Sequence, residues 1–136
     1  MCIRDSVNVA CDADLDTARD LARAGTSLFA RFSVMHGKPN GPMSPAPAQA
    51  LQSLYDTCDM NKHTQDDSRQ ADGLPATFIN HLGIVGSPDI CIEKLRSPAA
   101  LGLDKLFFGV MFRLVQTPEG RAAKALIERE IWPALR

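Results

Sequence analysis

Arg31, His36 and Lys38 lie close together in the sequence and bring a guanidinium, an imidazole and an amine to the start of a proline-rich loop. Arginine grips anionic groups with a fixed fork of donors, and histidine exchanges a proton or a hydrogen bond near neutral pH. Contact with an anionic group fits this triplet; the alternative is a solvated loop edge, since connecting segments run over the surface. A second candidate lies in "HLGIVGSPDICIEKL", His81 to Leu95, where an apolar run stops at Gly86 and turns into a charged, helical pattern. Ser87 is a good N-cap acceptor, Pro88 suits the first helical position, where its missing N–H costs nothing, and Asp89 suits the positive end of the helix dipole. Free N–H groups at such a helix start bind phosphate, which makes Gly86 and Ser87 candidate cofactor contacts. The alternative is a plain helix cap.

The other residue types that carry chemistry are dispersed. Cys2, Cys11, Cys58 and Cys91 form no CxxC pair and have no histidine at zinc-ligand spacing, so each reads as a reduced thiol serving as a small, partly buried hydrophobe. His36, His63 and His81 announce no metal site, and "HTQDD" has no ligand spacing and reads as solvated. Asp104 and Lys105 read as turn charges. No nucleophile–base pair, glycine-rich dinucleotide loop or phosphate-loop lysine is present, so the sequence names no catalytic residue.

The elements that position these residues follow from periodicity. After "VNVA", the end of a strand, Asp12 or Asp14 caps a helix with Leu15, Ala18, Leu21, Ala22, Gly25, Leu28, Phe29 and Phe32 at spacings of three and four. Four prolines and two glycines within "SVMHGKPNGPMSPAP" then impose a long loop of the kind that often binds or covers ligands. Ser44 and Pro45 start a second helix with Ala48, Leu51, Tyr55 and Cys58 on one face, which fades into "NKHTQDDSRQADG". A short helix, "PATFINHL", leads into the strand "GIV". The helix from Pro88 meets Pro98, which removes a donor and crowds the carbonyl of Lys94, so the helix ends near Ser97 or kinks there. Gly102 suits its C-terminal stop. "KLFFGVMF" reads as a strand covered on both faces and as the parallel neighbour of "GIV". Thr117 and Pro118 start a last helix with Ala122, Ala123, Leu126, Ile127 and Ile131 as its buried stripe, and Trp132 and Pro133 read as packing and helix termination.

Bulk composition limits the functions. The 136 residues, 45% hydrophobic and 23% charged, suffice for one modest core. Fifteen Lys+Arg against sixteen Asp+Glu leave a net charge of -1, which gives no field for nucleic acid or an anionic membrane. No apolar run approaches membrane-spanning length, so the default location is the cytoplasm and no membrane partner is expected. The first six residues, "MCIRDS", match neither period and resemble translated adaptor sequence; they are set aside as a non-native N-terminal artefact.

From about Val7 onward, "NVACDADLDTARDLARAGTSLFARFSVMHGK", "FINHLGIVGSPDICIEKLRSPAALGLDKLFF" and "ALIEREIWPALR" resemble the C-terminal part of the luciferase-like, flavin-dependent oxidoreductases. The most specific feature is "IVGSPDICIEKL" followed by "LGLDKLFF", because that family typically shows a strand, Gly-Thr/Ser-Pro, an acidic helix start and a similar turn before its last barrel strand. The resemblance implies an α/β fold, the C-terminal part of an incomplete (β/α)8 TIM barrel with two or three parallel strands and flanking helices, over residues 7–136. It implies FMN or a deazaflavin coenzyme at the carboxyl mouth of the strands, where Gly86 and Ser87 would lie. It also implies a small-molecule substrate, hydride transfer or oxygen insertion, and a homodimer for the full-length protein. Many flavin contacts in that family come from earlier strands, so this portion alone is expected to be inactive. Pro98 departs from the family, whose members usually carry an apolar residue there. The competing reading is a small non-catalytic α/β binding or interaction domain.

Overall fold

The computed structural model describes residues 4–37, 42–59, 61, 69–109 and 116–136. In chain order the elements are β1 (Arg4–Cys11), α1 (Leu15–Phe32), α2 (Pro45–Asp56), α3 (Arg69–Asp72), α4 (Ala76–Leu82), β2 (Gly83–Gly86), α5 (Pro88–Ala100), β3 (Lys105–Gly109), α6 (Pro118–Leu126) and α7 (Trp132–Ala134). They form two compact units, Met1–Ala22 with Gly83–Arg136, and Arg23–Leu82.

The first unit is an α/β layer around a three-stranded parallel sheet in the order β2-β1-β3. Asn8 to Cys11 pair with Gly83 to Gly86, and Arg4 to Asn8 pair with Lys105 to Gly109. The strand directions agree with expectation. The adjacency does not: β2 and β3 are not neighbours, because β1 lies between them. β1 takes the centre because Val9, Ala10 and Cys11 are essentially buried, which covers it on both faces and suits the one position with a ladder on each side. β3 is correspondingly an edge strand of alternating exposure rather than one covered on both faces, and Phe107 is 57% exposed. Val110, Met111 and Phe112, the rest of that apolar run, lie outside the described residues. β1 also begins earlier than its apolar pattern: Arg4 to Ser6, within the hexamer set aside above, hold the ladder with β3 through backbone groups, which needs no apolar side chains.

One face of the sheet carries the core. Val9 and Cys11 from β1 meet Cys91 and Leu95 from α5 and Ile127 and Ile131 from the C-terminal segment. Cys91 and Leu95 are four apart, one helical turn, and so share the buried side of α5. Helix α5 runs past Ser97, through Pro98, to Ala100, so the expected end near Ser97 is corrected. Only two helical residues follow Pro98, and the last turn closes through Leu101 N–H to Pro98 O at 3.1 Å. Gly102 then takes φ +78°, the left-handed stop expected of it.

Thr117 caps α6 by accepting the Gly120 N–H at 3.0 Å, with Pro118 in the first turn. The buried stripe is Ala123, Ile127 and Ile131; Ala122 is exposed. Between α6 and α7 the backbone widens to a π turn over Ile127–Ile131, with Trp132 N–H bonded to Ile127 O. Such a bulge accommodates a proline, so Pro133 sits inside α7, which ends one residue later at Ala134.

The second unit is helical. Ala30, Val34, Leu51, Leu54, Phe78 and Ile79 are among its buried residues. α2 starts at Ser44 and Pro45 as read from the sequence, but buries Ala50, Leu51 and Leu54 while Tyr55 is exposed. Along α1, the expected Ala18, Leu21, Ala22 and Gly25 are buried; Leu15, Phe29 and Phe32 are exposed, and Thr26, Ser27 and Ala30 are buried in their stead. Ser27 returns its hydroxyl proton to Ala24 O at 2.7 Å, which lets a polar side chain sit inside. Arg23 donates to Leu74 O at 2.7 Å, tying α1 to the turn before α4. α3 forms within a stretch that reads only as polar fade.

Candidate functional site

In a parallel sheet the helices that follow the strands begin at the carboxyl edge, and ligand sites collect there. α1 and α5 begin at that edge, directly after β1 and β2. The edge is closed by Asp12 N–H donating to Gly86 O at 3.0 Å. Asp12 Oδ1 accepts the Asp14 N–H at 2.8 Å, and Asp14 is the N-cap of α1: its Oδ2 accepts the Thr17 N–H at 3.0 Å and the Thr17 hydroxyl at 2.6 Å. These bonds hold the Asp14 carboxyl below the usual carboxylate range, the Thr17 hydroxyl first. The sequence leaves Asp12 and Asp14 as alternatives; the structure uses Asp14 as the cap and Asp12 to shape the turn before it.

Gly86 and Ser87 stand where the sequence expects them, between β2 and α5. Gly86 has φ +136°, which only glycine adopts readily, and a Cβ there would lie 3.2 Å from Ile90 Cγ2. The first amide of α5 bonded within the helix is Cys91 N–H, to Ser87 O at 3.0 Å. A helix leaves its earlier N–H groups without carbonyl partners one turn back, here those of Asp89 and Ile90. The turn therefore offers an anion two backbone amides. Asp12, whose amide is bonded to Gly86 O, and Asp89, in the first turn of α5, bring acidic groups to this turn and weaken its grip on a fully charged phosphate. A third helix start adds no cation: a shallow cleft of about 240 Å³ is lined by Thr17, Asp20, Leu21, Thr117 and Glu119.

Arg31 and His36 belong to the other unit. Arg31 is half-buried in the last turn of α1, where a cation suits the helix dipole, and His36 is exposed in the turn that follows. Lys38 lies outside the described residues, as does His63. The cleft within that unit, about 220 Å³, is lined by Ala46, Pro47, Pro75, Thr77, Phe78 and His81, not by Arg31 or His36. Gly86 and Ser87 thus stand together at one sheet edge, and Arg31 and His36 stand within one short segment.

A groove of the sheet unit, about 440 Å³, is a feature that sequence reading misses. Leu95, Leu103, Leu106, Phe108, Trp132 and Leu135 line it, with Asp104 and Lys105 at its rim. It lies at the amino end of β3. Lys105 is level with Arg4 and Gly86 with Cys11, so the Lys105 end of the groove is about 23 Å from the turn along the strands at 3.3 Å per residue. The apolar groove is therefore at the opposite end of the sheet from the Gly86 turn. Among the described residues no group of three or more His, Cys, Asp or Glu side chains is placed to hold a metal ion.

The chain is similar in structure to the coenzyme F420-dependent tetrahydromethanopterin reductase from Methanopyrus kandleri, with a TM-score of 0.65 and 14% sequence identity over 99% of this chain. That neighbour is an enzyme of luciferase-like fold. The match shows the fold: three parallel strands with flanking helices, part of a TIM-barrel-like luciferase fold. The chain spans 36% of the length of that neighbour. No family model matches the sequence, and no curated protein matches it. Among the described residues no helix is long and apolar enough to cross a membrane.

Proposed function

We propose that this chain is the C-terminal portion of a luciferase-like oxidoreductase that works with FMN or a deazaflavin coenzyme on a small-molecule substrate. The observation that carries the reading is the structural likeness along 99% of the chain to an F420-dependent reductase, at fold level. When bound, a flavin or deazaflavin supplies the hydride chemistry, and the protein supplies binding, orientation and exclusion of water.

The contribution of this chain is small and specific. The Gly86-Ser87 turn fits the phosphate end of such a coenzyme through the amides at the start of α5. Nothing among the described residues cradles an isoalloxazine ring, and the remaining contacts belong to strands outside this chain. Arg31, His36 and Lys38 are proposed substrate contacts on the loop that follows α1. The residues 1–6 remain a proposed artefact, although Arg4 to Ser6 have joined the sheet.

Titration of FMN and, separately, F420 into the 136-residue chain and into the same chain joined to the upstream reading frame of its source tests this. The isolated chain is expected to be colourless and to leave flavin fluorescence unchanged, and the joined chain to change it saturably. Tight stoichiometric binding by the isolated chain, or no binding by the joined chain, overturns the reading. The competing assignment, a non-catalytic α/β binding domain, draws on the self-capping of α1 and α6, whose leading amides are already used by Asp14 and Thr117. It predicts no binding by either protein.

A further inference from the structure

Two thiols that the sequence keeps 80 positions apart meet in the core of the sheet unit. Cys11 is the last residue of β1 and is aligned with Gly86 in the parallel ladder. Cys91 lies in the first turn of α5, five residues beyond Gly86. Both side chains are 0% exposed, and both belong to the cluster formed with Val9, Leu95, Ile127 and Ile131. Cys91 Sγ is 3.5 Å from Gly86 O and 3.9 Å from Ala10 O, the carbonyl of the peptide bond that leads into Cys11. Its sulfur is thus seated against the backbone that carries the other thiol, within one buried cluster. A pair of apolar side chains of this size would fill the same space, so packing alone does not call for two thiols there.

We propose that Cys11 and Cys91 are a redox pair that closes reversibly to a disulfide, clasping the carboxyl end of β1 to the first turn of α5. Cys91 Sγ lies 3.9 Å from the carbonyl of the residue before Cys11, so the two thiols start from neighbouring places in one cluster. The oxidant is a low-molecular-weight disulfide such as oxidised glutathione. Cys91 loses its proton and attacks one sulfur of that disulfide, forming a mixed disulfide and expelling one small thiolate. Cys11 then loses its proton and attacks Cys91 Sγ, forming the Cys11–Cys91 bond and expelling the second. Two protein thiols are oxidised, one small disulfide is reduced to two thiols, and the two protons end on the departing thiolates. The order follows from the pair itself. The neighbouring Cys11 thiol favours the Cys91 thiolate, and Lys94 assists; Cys11 is held protonated by its closeness to Cys91, by burial and by negative neighbours, Glu130 and Asp12 among them. Both sulfurs are covered, so exchange proceeds through local opening of the α5 start and is slow. The closed clasp spans more than half the chain and removes the Cys91 donor from Gly86 O, stiffening the Gly86-Ser87 turn. The proposal stands independently of the flavin reading.

The test uses the unmodified 136-residue protein. It is reduced, equilibrated in glutathione buffers of increasing oxidised fraction, quenched with an alkylating agent and mapped by non-reducing peptide mass spectrometry. The expected result is a Cys11–Cys91 cross-linked peptide pair, two hydrogens lighter than the sum of its parts. It forms at a more reducing ratio than any adduct of Cys2 or Cys58, and oxidation raises the urea midpoint of unfolding. A C2S/C58S variant is expected to give the same cross-link. Alkylated thiols at both Cys11 and Cys91 where Cys58 is already oxidised overturn the proposal. So does a glutathione adduct at Cys91 that never resolves, or a cross-link that appears only in denaturant.

Discussion

The amide of Asp12 donates to the carbonyl oxygen of Gly86 at 3.0 Å, joining the ends of β1 and β2 at the edge from which α1 and α5 depart. Gly86 holds that carbonyl in place at φ +136°, a conformation with little room for a side chain. Gly86→Ala is therefore expected to destabilise the fold by about 1–3 kcal/mol, read as a lower urea midpoint at unchanged slope. Part of the loss is contact with Ile90 Cγ2, at 3.2 Å from a Cβ at this position. Ile90→Ala in the same chain is expected to recover only a minor part of it, because the backbone strain remains. Full recovery would show that contact, not φ, governs the position.

Asp14 is the pH-sensitive cap. Its folded-state pKa is depressed, so its contribution is present above the unfolded value, 3.8, and is lost as pH falls through the lower folded value. Asp14→Ala is expected to lower Tm at pH 7 and to flatten the acid limb of the stability curve. Asp14→Asn keeps a good cap acceptor and is expected to hold most of the Tm at pH 7 while still flattening the acid limb. Thermal melts from pH 7 to pH 2, followed by circular dichroism, compare the three chains.

Pro98 lies inside α5, two residues from its end. A proline in a helix interior costs about 3 kcal/mol, and near the last turn the loss is smaller because few bonds follow it. Pro98→Ala is expected to stabilise the chain by about 1 kcal/mol, the gain in helix propensity outweighing the added freedom of the unfolded chain. An unchanged or lower Tm would mean that the α5 end is shaped to fit the ring.

β3 presents an edge with Phe107 exposed, and its sequence, KLFFG, is apolar and rich in strand formers. Such an edge invites pairing with another chain. Phe107→Lys is expected to lower light scattering on concentration and to leave the urea midpoint within about 0.5 kcal/mol of the parent, as for a surface change. Loss of folding in this variant would show that Phe107 is covered in solution.

The amino-acid sequence by itself determined the local elements and their ends. Ser44-Pro45, Ser87-Pro88 and Thr117-Pro118 mark helix starts through the fixed φ of a proline at the first position, and Gly102 marks the left-handed stop after α5. These are short-range constraints, complete within a few residues, and they placed the Gly86-Ser87 turn correctly between β2 and α5. Tertiary structure alone decided which strand is central. "KLFFGVMF" is more apolar than "VNVAC", yet β1 takes the middle, because ladder pairing and coverage of both faces depend on all three strands at once. The same holds for Phe29 and Tyr55, apolar enough for a core but exposed, and for Pro98, which α5 holds two residues from its end. It holds above all for Cys11 and Cys91. Nothing in their spacing relates them; the parallel register that sets Cys11 beside Gly86, and the single helical turn from Gly86 to Cys91, bring their sulfurs into one cluster.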